Sequence, residues 1–141
     1  FNRLQAVVSP LSPSSFLTLD DARLRTIGFS RQKMTYCRHL AHAILDGFNL
    51  AALPQLDDTT VRSELLKIKG IGPWTADIYL LMALRRPDIW PHGDLALAVA
   101  VQRLKGLAAR PSQVQMLVLA SRWRPLRAIA ARLLWHDYLR S

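Results

Sequence analysis

Apolar residues recur at three- and four-residue intervals over most of the chain, and glycines, prolines and capping residues separate the runs that carry this period. Residues 13–19 and 20–27 have the pattern of two short helices, the second closed by Gly28. Ser30 is placed to cap a longer helix reaching Asp46, with Gly47 as its stop, and Met34, Cys37, Leu40, Ala41, Ile44 and Leu45 share its apolar face. Asp57 or Asp58 can open the next helix, which carries Val61, Leu65, Leu66 and Ile68 and breaks at Gly70-Ile71-Gly72. Pro73 then stands at a first helical position, where its fixed φ suits the start of a helix over 74–84 that is apolar around most of its circumference and should be deeply buried. Pro87 and Pro91-His92-Gly93 predict a loop, after which Asp94 opens another apolar helix to Leu104. Ser112 and Gln115 have the spacing of a capping box. Pro125 begins the last helix, with Leu126, Ile129, Ala130, Leu133 and Leu134 on one face. Residues 1–11 carry no helix-start signal, and no pair of alternating runs predicts strands, so the expected class is all-α.

At 141 residues the chain suits one domain with a real core. Charge changes the picture more. Nineteen Lys and Arg against ten Asp and Glu leave a formal charge of +9, which favours a polyanionic partner, nucleic acid ahead of an anionic membrane surface. The cations are spread over Arg23, Arg25, Arg31, Lys33, Lys67, Lys69, Arg103, Lys105, Arg122, Arg124 and Arg127, as on a folded surface and unlike a basic tail. The single cysteine, Cys37, excludes an intramolecular disulfide and a four-cysteine zinc or iron–sulfur site within this chain; its helical setting predicts a small, buried or half-buried side chain. There is no signal-peptide pattern and no apolar run long enough to span a bilayer, so the expected location is a reducing cytoplasm and no membrane partner is expected. The chain begins with Phe1, which suggests a piece of a longer protein. A monomer is the expected state.

The most informative segment runs from Leu65 through Gly70-Ile71-Gly72-Pro73 to Ala76. Two glycines around one apolar residue make a tight turn in which backbone can approach a partner without Cβ interference. Ile71 can plug between the helices while the turn amides and the next helix N-terminus face outward, an arrangement suited to a phosphate. Lys67 and Lys69 add charge beside it, and Gly70, Ile71, Gly72 and Thr75 complete the candidate DNA-binding set. An ordinary helical hairpin with glycine at a helix end remains the alternative on this pattern alone.

The stretch LKIKGIGPWTADIYLLMAL followed by PHGDLAL resembles the helix-hairpin-helix DNA glycosylase superfamily, and within it the 3-methyladenine DNA glycosylase II branch. LRTIGFSRQKMTYCRHLAHAILDG and SRWRPLRAIAARLLW extend the resemblance over residues 13–135. The resemblance implies a single glycosylase domain of two helical lobes with a cleft between them. It would have a hairpin over 61–86, a Gly/Pro-Asp loop over 87–94 and C-terminal helices over 112–140. Family members usually carry further N-terminal helices, including the apolar wedge that fills the gap left by a flipped base. No counterpart is found here, so part of the N-terminal region is expected to be lacking.

Asp94 matches the family's catalytic aspartate. Breaking an N-glycosidic bond makes the sugar oxocarbenium-like, and a carboxylate near C1′ balances that charge and orients the attacking water. By position alone Asp94 is equally a helix N-cap, directly before Leu95. Many superfamily members carry a nucleophilic lysine where this chain has Trp74; an indole cannot form a Schiff base, so the resemblance implies a monofunctional enzyme using water. Tryptophans at the positions of Trp74 and Trp135 line the base cleft in the alkylation branch, where electron-rich faces suit cationic methylated purines. A further family aromatic falls on Ile78, with Tyr79 as its neighbour, a departure that bears on pocket shape. The family hairpin holds a monovalent cation through main-chain carbonyls, here those of Leu66, Ile68 and Ile71; Na+ or K+ bound with DNA is the only cofactor the resemblance implies, with no iron–sulfur cluster.

Trp90 and Trp123 are expected to be structural. Arg127 is assigned either to packing in the Arg122-Trp123-Arg124-Pro125 region or to a phosphate, and His92 is expected to be exposed. His39, His42 and His136 lack ligand spacing, so no transition metal is assigned. The implied activity is excision of alkylated bases from double-stranded DNA carrying damage. A glycosylase for another damaged or mismatched base, and a non-catalytic DNA-binding module, are the alternatives.

Overall fold

In the computed structural model, which describes residues 2–140, every regular element among those residues is helical. Side-chain caps set most of the starts. Ser12 caps α2 (Pro13–Leu17), Asp20 caps α3 (Asp21–Thr26) and Ser30 caps α4 (Arg31–Leu45), each taking the N–H three residues on. Asp57 accepts from both Thr59 and Thr60 to open α5 (Asp58–Leu66). The Ser112–Gln115 capping box forms as expected ahead of α8 (Gln113–Ser121). A one-turn α1 (Asn2–Gln5) stands where no start signal was visible, and a 3-10 helix (Leu50–Gln55), capped by Asn49, links α4 to α5.

The chain divides into two compact units, Phe1–Ile71 and Gly72–Ser141. In the first, α2 and α3 pack on α4. Phe16, Leu19, Leu24, Met34 and Ala41 are buried there, and the rings of Phe16 and Phe29 lie 6.0 Å apart. Cys37 sits half-buried at the edge of this cluster, and burial pushes its thiol pKa up. On α5, Val61 and Leu65 are buried and so is Ile68 just beyond it, but Leu66 is exposed.

In the second unit α6 (Pro73–Ile78) does not continue regularly to residue 84. It widens into a π turn over Tyr79–Ala83, where the Leu84 N–H donates to the Tyr79 carbonyl five residues back. Leu80 and Leu81 are buried in this turn. Asp94 caps α7 (Leu95–Leu104), which packs on α9 (Arg127–Leu139). Both helices contribute buried alanines, Ala98 and Ala100 from one and Ala128 and Ala131 from the other, small enough to let the backbones approach. Trp90, 5% exposed, packs its ring 5.4 Å from that of Trp123, which bears out a structural role for this pair.

The face of α9 differs from expectation. Leu126, Ile129 and Leu133 are exposed, while Ala128, Ala131 and Leu134 are buried. Two arginines fix this rotation. Arg127 donates through Nε to Asp88 Oδ1 (2.7 Å) and through Nη2 to the Asp88 carbonyl (2.7 Å), and Arg132 Nη2 donates to the Leu81 carbonyl in the π turn (3.1 Å). Arg127 is thus taken up inside the unit instead of offering itself to a phosphate. Its guanidinium holds the Asp88 carboxyl below the usual carboxylate range.

Candidate active site

Asp94 and Trp74 come together. Trp74 lies in the first turn of α6, and its Nε1–H donates to Asp94 Oδ2 at 2.8 Å. The other oxygen, Oδ1, accepts the Leu97 N–H at 2.9 Å as the cap of α7. Asp94 is thus the helix cap its position allowed, and its second oxygen reaches a half-exposed indole. Trp74 is 47% exposed, so much of its surface is open to a partner. Each carboxylate oxygen keeps a lone pair for water or a developing cation. A hollow of about 260 Å³, bordered by His92, Asp94, Arg110 and Gln113, leaves room for several waters beside the carboxylate.

The loop that delivers Asp94 is held from two sides. Asp77 of α6, fully buried, accepts the His92 N–H at 3.0 Å. Gly93 has φ +68, and a Cβ there would lie 2.9 Å from Gln113 Nε2 at the start of α8. Sequence reasoning missed Asp77. The available signal was an aspartate in the middle of a helix otherwise apolar on nearly every side. His92 itself is exposed, as expected.

The remaining candidates divide. Ile78 and Tyr79, both half-buried, sit where α6 becomes the π turn, and Trp135 is half-buried on α9. No polar bond links these three to Asp94. Lys69 and Thr75 are exposed. Lys67 is exposed too, but its ammonium pairs with Glu64 one turn earlier, which offsets its charge locally. Gly72 is the N-cap of α6 and, lacking a side chain, leaves the first-turn amides uncapped.

The hairpin turn has a brace that the sequence pattern did not reveal. Gly70 adopts φ +100, and a Cβ there would run into the ring of Tyr36 on α4. One turn along α4, His39 Nδ1 lies 3.2 Å from the Lys69 carbonyl. Tyr36 and His39 share a face by their three-residue spacing, yet neither carries a motif of its own. Among the proposed cation ligands, the Ile68 carbonyl already accepts the Ile71 N–H at 3.0 Å and keeps one lone pair. Among the described residues no cluster of His, Cys, Asp or Glu could hold a metal ion, and no helix is long and apolar enough to cross a membrane.

The profile of the HhH-GPD superfamily of base excision DNA repair proteins matches residues 1–125. The Bacillus subtilis protein YfjP is 34% identical over 126 residues, 89% of this chain and 44% of that protein. The Schizosaccharomyces pombe DNA-3-methyladenine glycosylase 1 is 28% identical over 140 residues, 96% of this chain and 61% of its own length. The chain thus spans about half the length of these relatives. Among solved structures, the S. pombe 3-methyladenine DNA glycosylase Mag1 in complex with abasic DNA superposes with a TM-score of 0.88 at 27% identity, over 95% of this chain and 68% of that one. A Bacillus halodurans DNA-3-methyladenine glycosidase gives 0.78 at 27% identity, over 97% and 64%.

Proposed function

Since the chain belongs to the HhH-GPD superfamily of base excision DNA repair proteins, we propose that it is the catalytic portion of a monofunctional DNA glycosylase releasing alkylated bases of the 3-methyladenine and 7-methylguanine type from duplex DNA. The observation that carries this reading is the Trp74–Asp94 pair: a half-exposed indole and a carboxylate joined by one hydrogen bond. A flipped, positively charged purine stacked on Trp74 gains a cation–π attraction that a neutral base lacks. As the C1′–N bond breaks, its electron pair leaves with the base and positive charge builds on the sugar. Asp94 opposes that charge and orients a water. The water oxygen bonds to C1′ and its proton passes to the carboxylate and on to solvent, leaving an abasic site and a free base. Trp74 in place of an amine leaves no Schiff base and hence no strand cleavage by that route.

The hairpin would bind the DNA backbone through the amides around Gly70 and Gly72 and the charge of Lys69, with Thr75 beside them. Na+ or K+ would be held there by the carbonyls of Leu66, Ile68 and Ile71, hard oxygen donors that suit an alkali cation, and would add a positive charge against a phosphate. Trp135, Ile78 and Tyr79 would shape the rest of the base pocket.

The test compares wild type with Asp94→Asn on duplexes carrying 7-methylguanine or a stable 3-methyladenine analogue. Asparagine caps a helix as well as aspartate does, so the bond to Leu97 and the fold should survive. Wild type should release free base and leave an alkali-labile abasic site without direct nicking, while Asp94→Asn binds the duplex and releases base at least ~100-fold more slowly. Equal release by both proteins would remove Asp94 from the chemistry. Binding without release by wild type would make the chain a DNA-binding module.

A further inference from the structure

We infer that Asp77 is a positioning residue for Asp94: by accepting the His92 N–H it fixes the loop from which the reactive carboxylate projects. Among the described residues it is the one charged side chain that is buried, with 0% exposure, and its neighbours Leu80 and Leu81 show that apolar side chains fill this helix. A leucine has the same branched shape as an aspartate, with two methyl groups in place of the oxygens, and would suit such surroundings better, since burying a carboxylate is costly without polar partners. What aspartate adds is an acceptor for a loop amide fifteen residues away in sequence, at 3.0 Å. Backbone N–H groups buried without an acceptor are rare and costly. This amide belongs to the residue two before Asp94.

The consequence is geometric. His92 is tied to α6 through Asp77, Gly93 turns at φ +68 against Gln113, and Asp94 then locks onto the Leu97 N–H. Trp74 and Asp77 stand three residues apart on α6, so one short helix holds the indole that bonds Asp94 Oδ2 and the carboxylate that holds the loop behind it. α6 therefore acts on both sides of the distance from Trp74 to the Asp94 oxygens, with the α7 cap completing the hold. A reacting group misplaced by about 1 Å can lose ~100-fold in rate without any change in substrate binding.

For its activity readout the inference rests on the glycosylase reading; its structural readout does not. Hydrogen exchange of the wild-type chain should show the His92 amide protected well beyond that of Gly93, and equal exchange of the two would overturn the inference. Asp77→Leu should accelerate exchange at His92 at least ~10-fold while the α7 amides of Ala100 and Val101 keep their protection. In single-turnover assays at saturating protein it should cut base release at least ~10-fold and leave affinity for an abasic duplex within about threefold. Asp77→Asn, of the same shape and with a carbonyl acceptor, should restore both within about threefold, and it stands in should the leucine variant fail to fold. Wild-type release by Asp77→Leu, a loss that follows DNA affinity, or an Asn variant as impaired as the Leu variant would each sink the assignment. Should wild type release no base, the glycosylase reading fails by itself, and His92 exchange in the variants still decides whether Asp77 holds the loop.

Discussion

The two hydrogen bonds of Asp94 separate structure from the proposed chemistry at a single side chain. The Leu97 bond holds the helix, and the Trp74 bond orients the oxygen to which the proposed reaction falls. Trp74→Phe keeps a ring and removes the donor. A hydrogen bond to a charged group contributes about 1.5–3 kcal/mol, so single-turnover base release should fall ~10–100-fold while the melting temperature barely moves, the indole being half-exposed. Asp94→Ala, unlike Asp94→Asn, should also lose the cap and about 1 kcal/mol of stability in urea titrations. Gly70→Ala forces a Cβ into the Tyr36 ring and a side chain onto a left-handed backbone, costs that together reach at least ~2 kcal/mol by the same measurement. Asp94 was legible because a cap and a motif coincide at one position. Asp77, Tyr36 and His39 were not, because each acts on backbone 15 to 34 residues away and long-range pairing leaves no periodic trace.

Among the elements, the helix starts were readable because a cap is a local bond between residues three apart. The rotation of α9 was not. Its apolar residues offer two faces, and the choice falls to Arg127 and Arg132, whose partners Asp88 and the Leu81 carbonyl lie 39 and 51 residues upstream. The π turn is equally silent in sequence, since Tyr79–Ala83 has the composition of any buried helix. The Asp88–Arg127 pair makes an acid-dependent prediction. The folded-state pKa of Asp88 lies below its ordinary value, so its contribution is whole above the unfolded carboxylate value of about 4 and is lost as pH falls through the lowered one. The stability difference between wild type and Asp88→Asn, measured by denaturant titration, should be largest near pH 6 and close as pH drops toward 2.

For the whole molecule, a charge of +9 predicts DNA binding that weakens steeply with salt. Lys69→Ala should lower the slope of log K against log salt by about one, as expected for one phosphate contact, whereas Lys67→Ala should change it less because Glu64 already pairs with that ammonium. The boundary between the compact units falls between Ile71 and Gly72, inside the hairpin itself. Tyr36, His39 and Gly70 precede it; Trp74, Asp77 and Asp94 follow it. The brace of the turn and the proposed reacting pair therefore lie in successive halves of the text, while Gly72 and Thr75 carry part of the proposed grip into the second. A hybrid chain that takes residues 1–71 from a distant relative should shift in salt tolerance and affinity toward that donor, yet keep the pH profile of base release that the proposed pair in residues 72–141 would set.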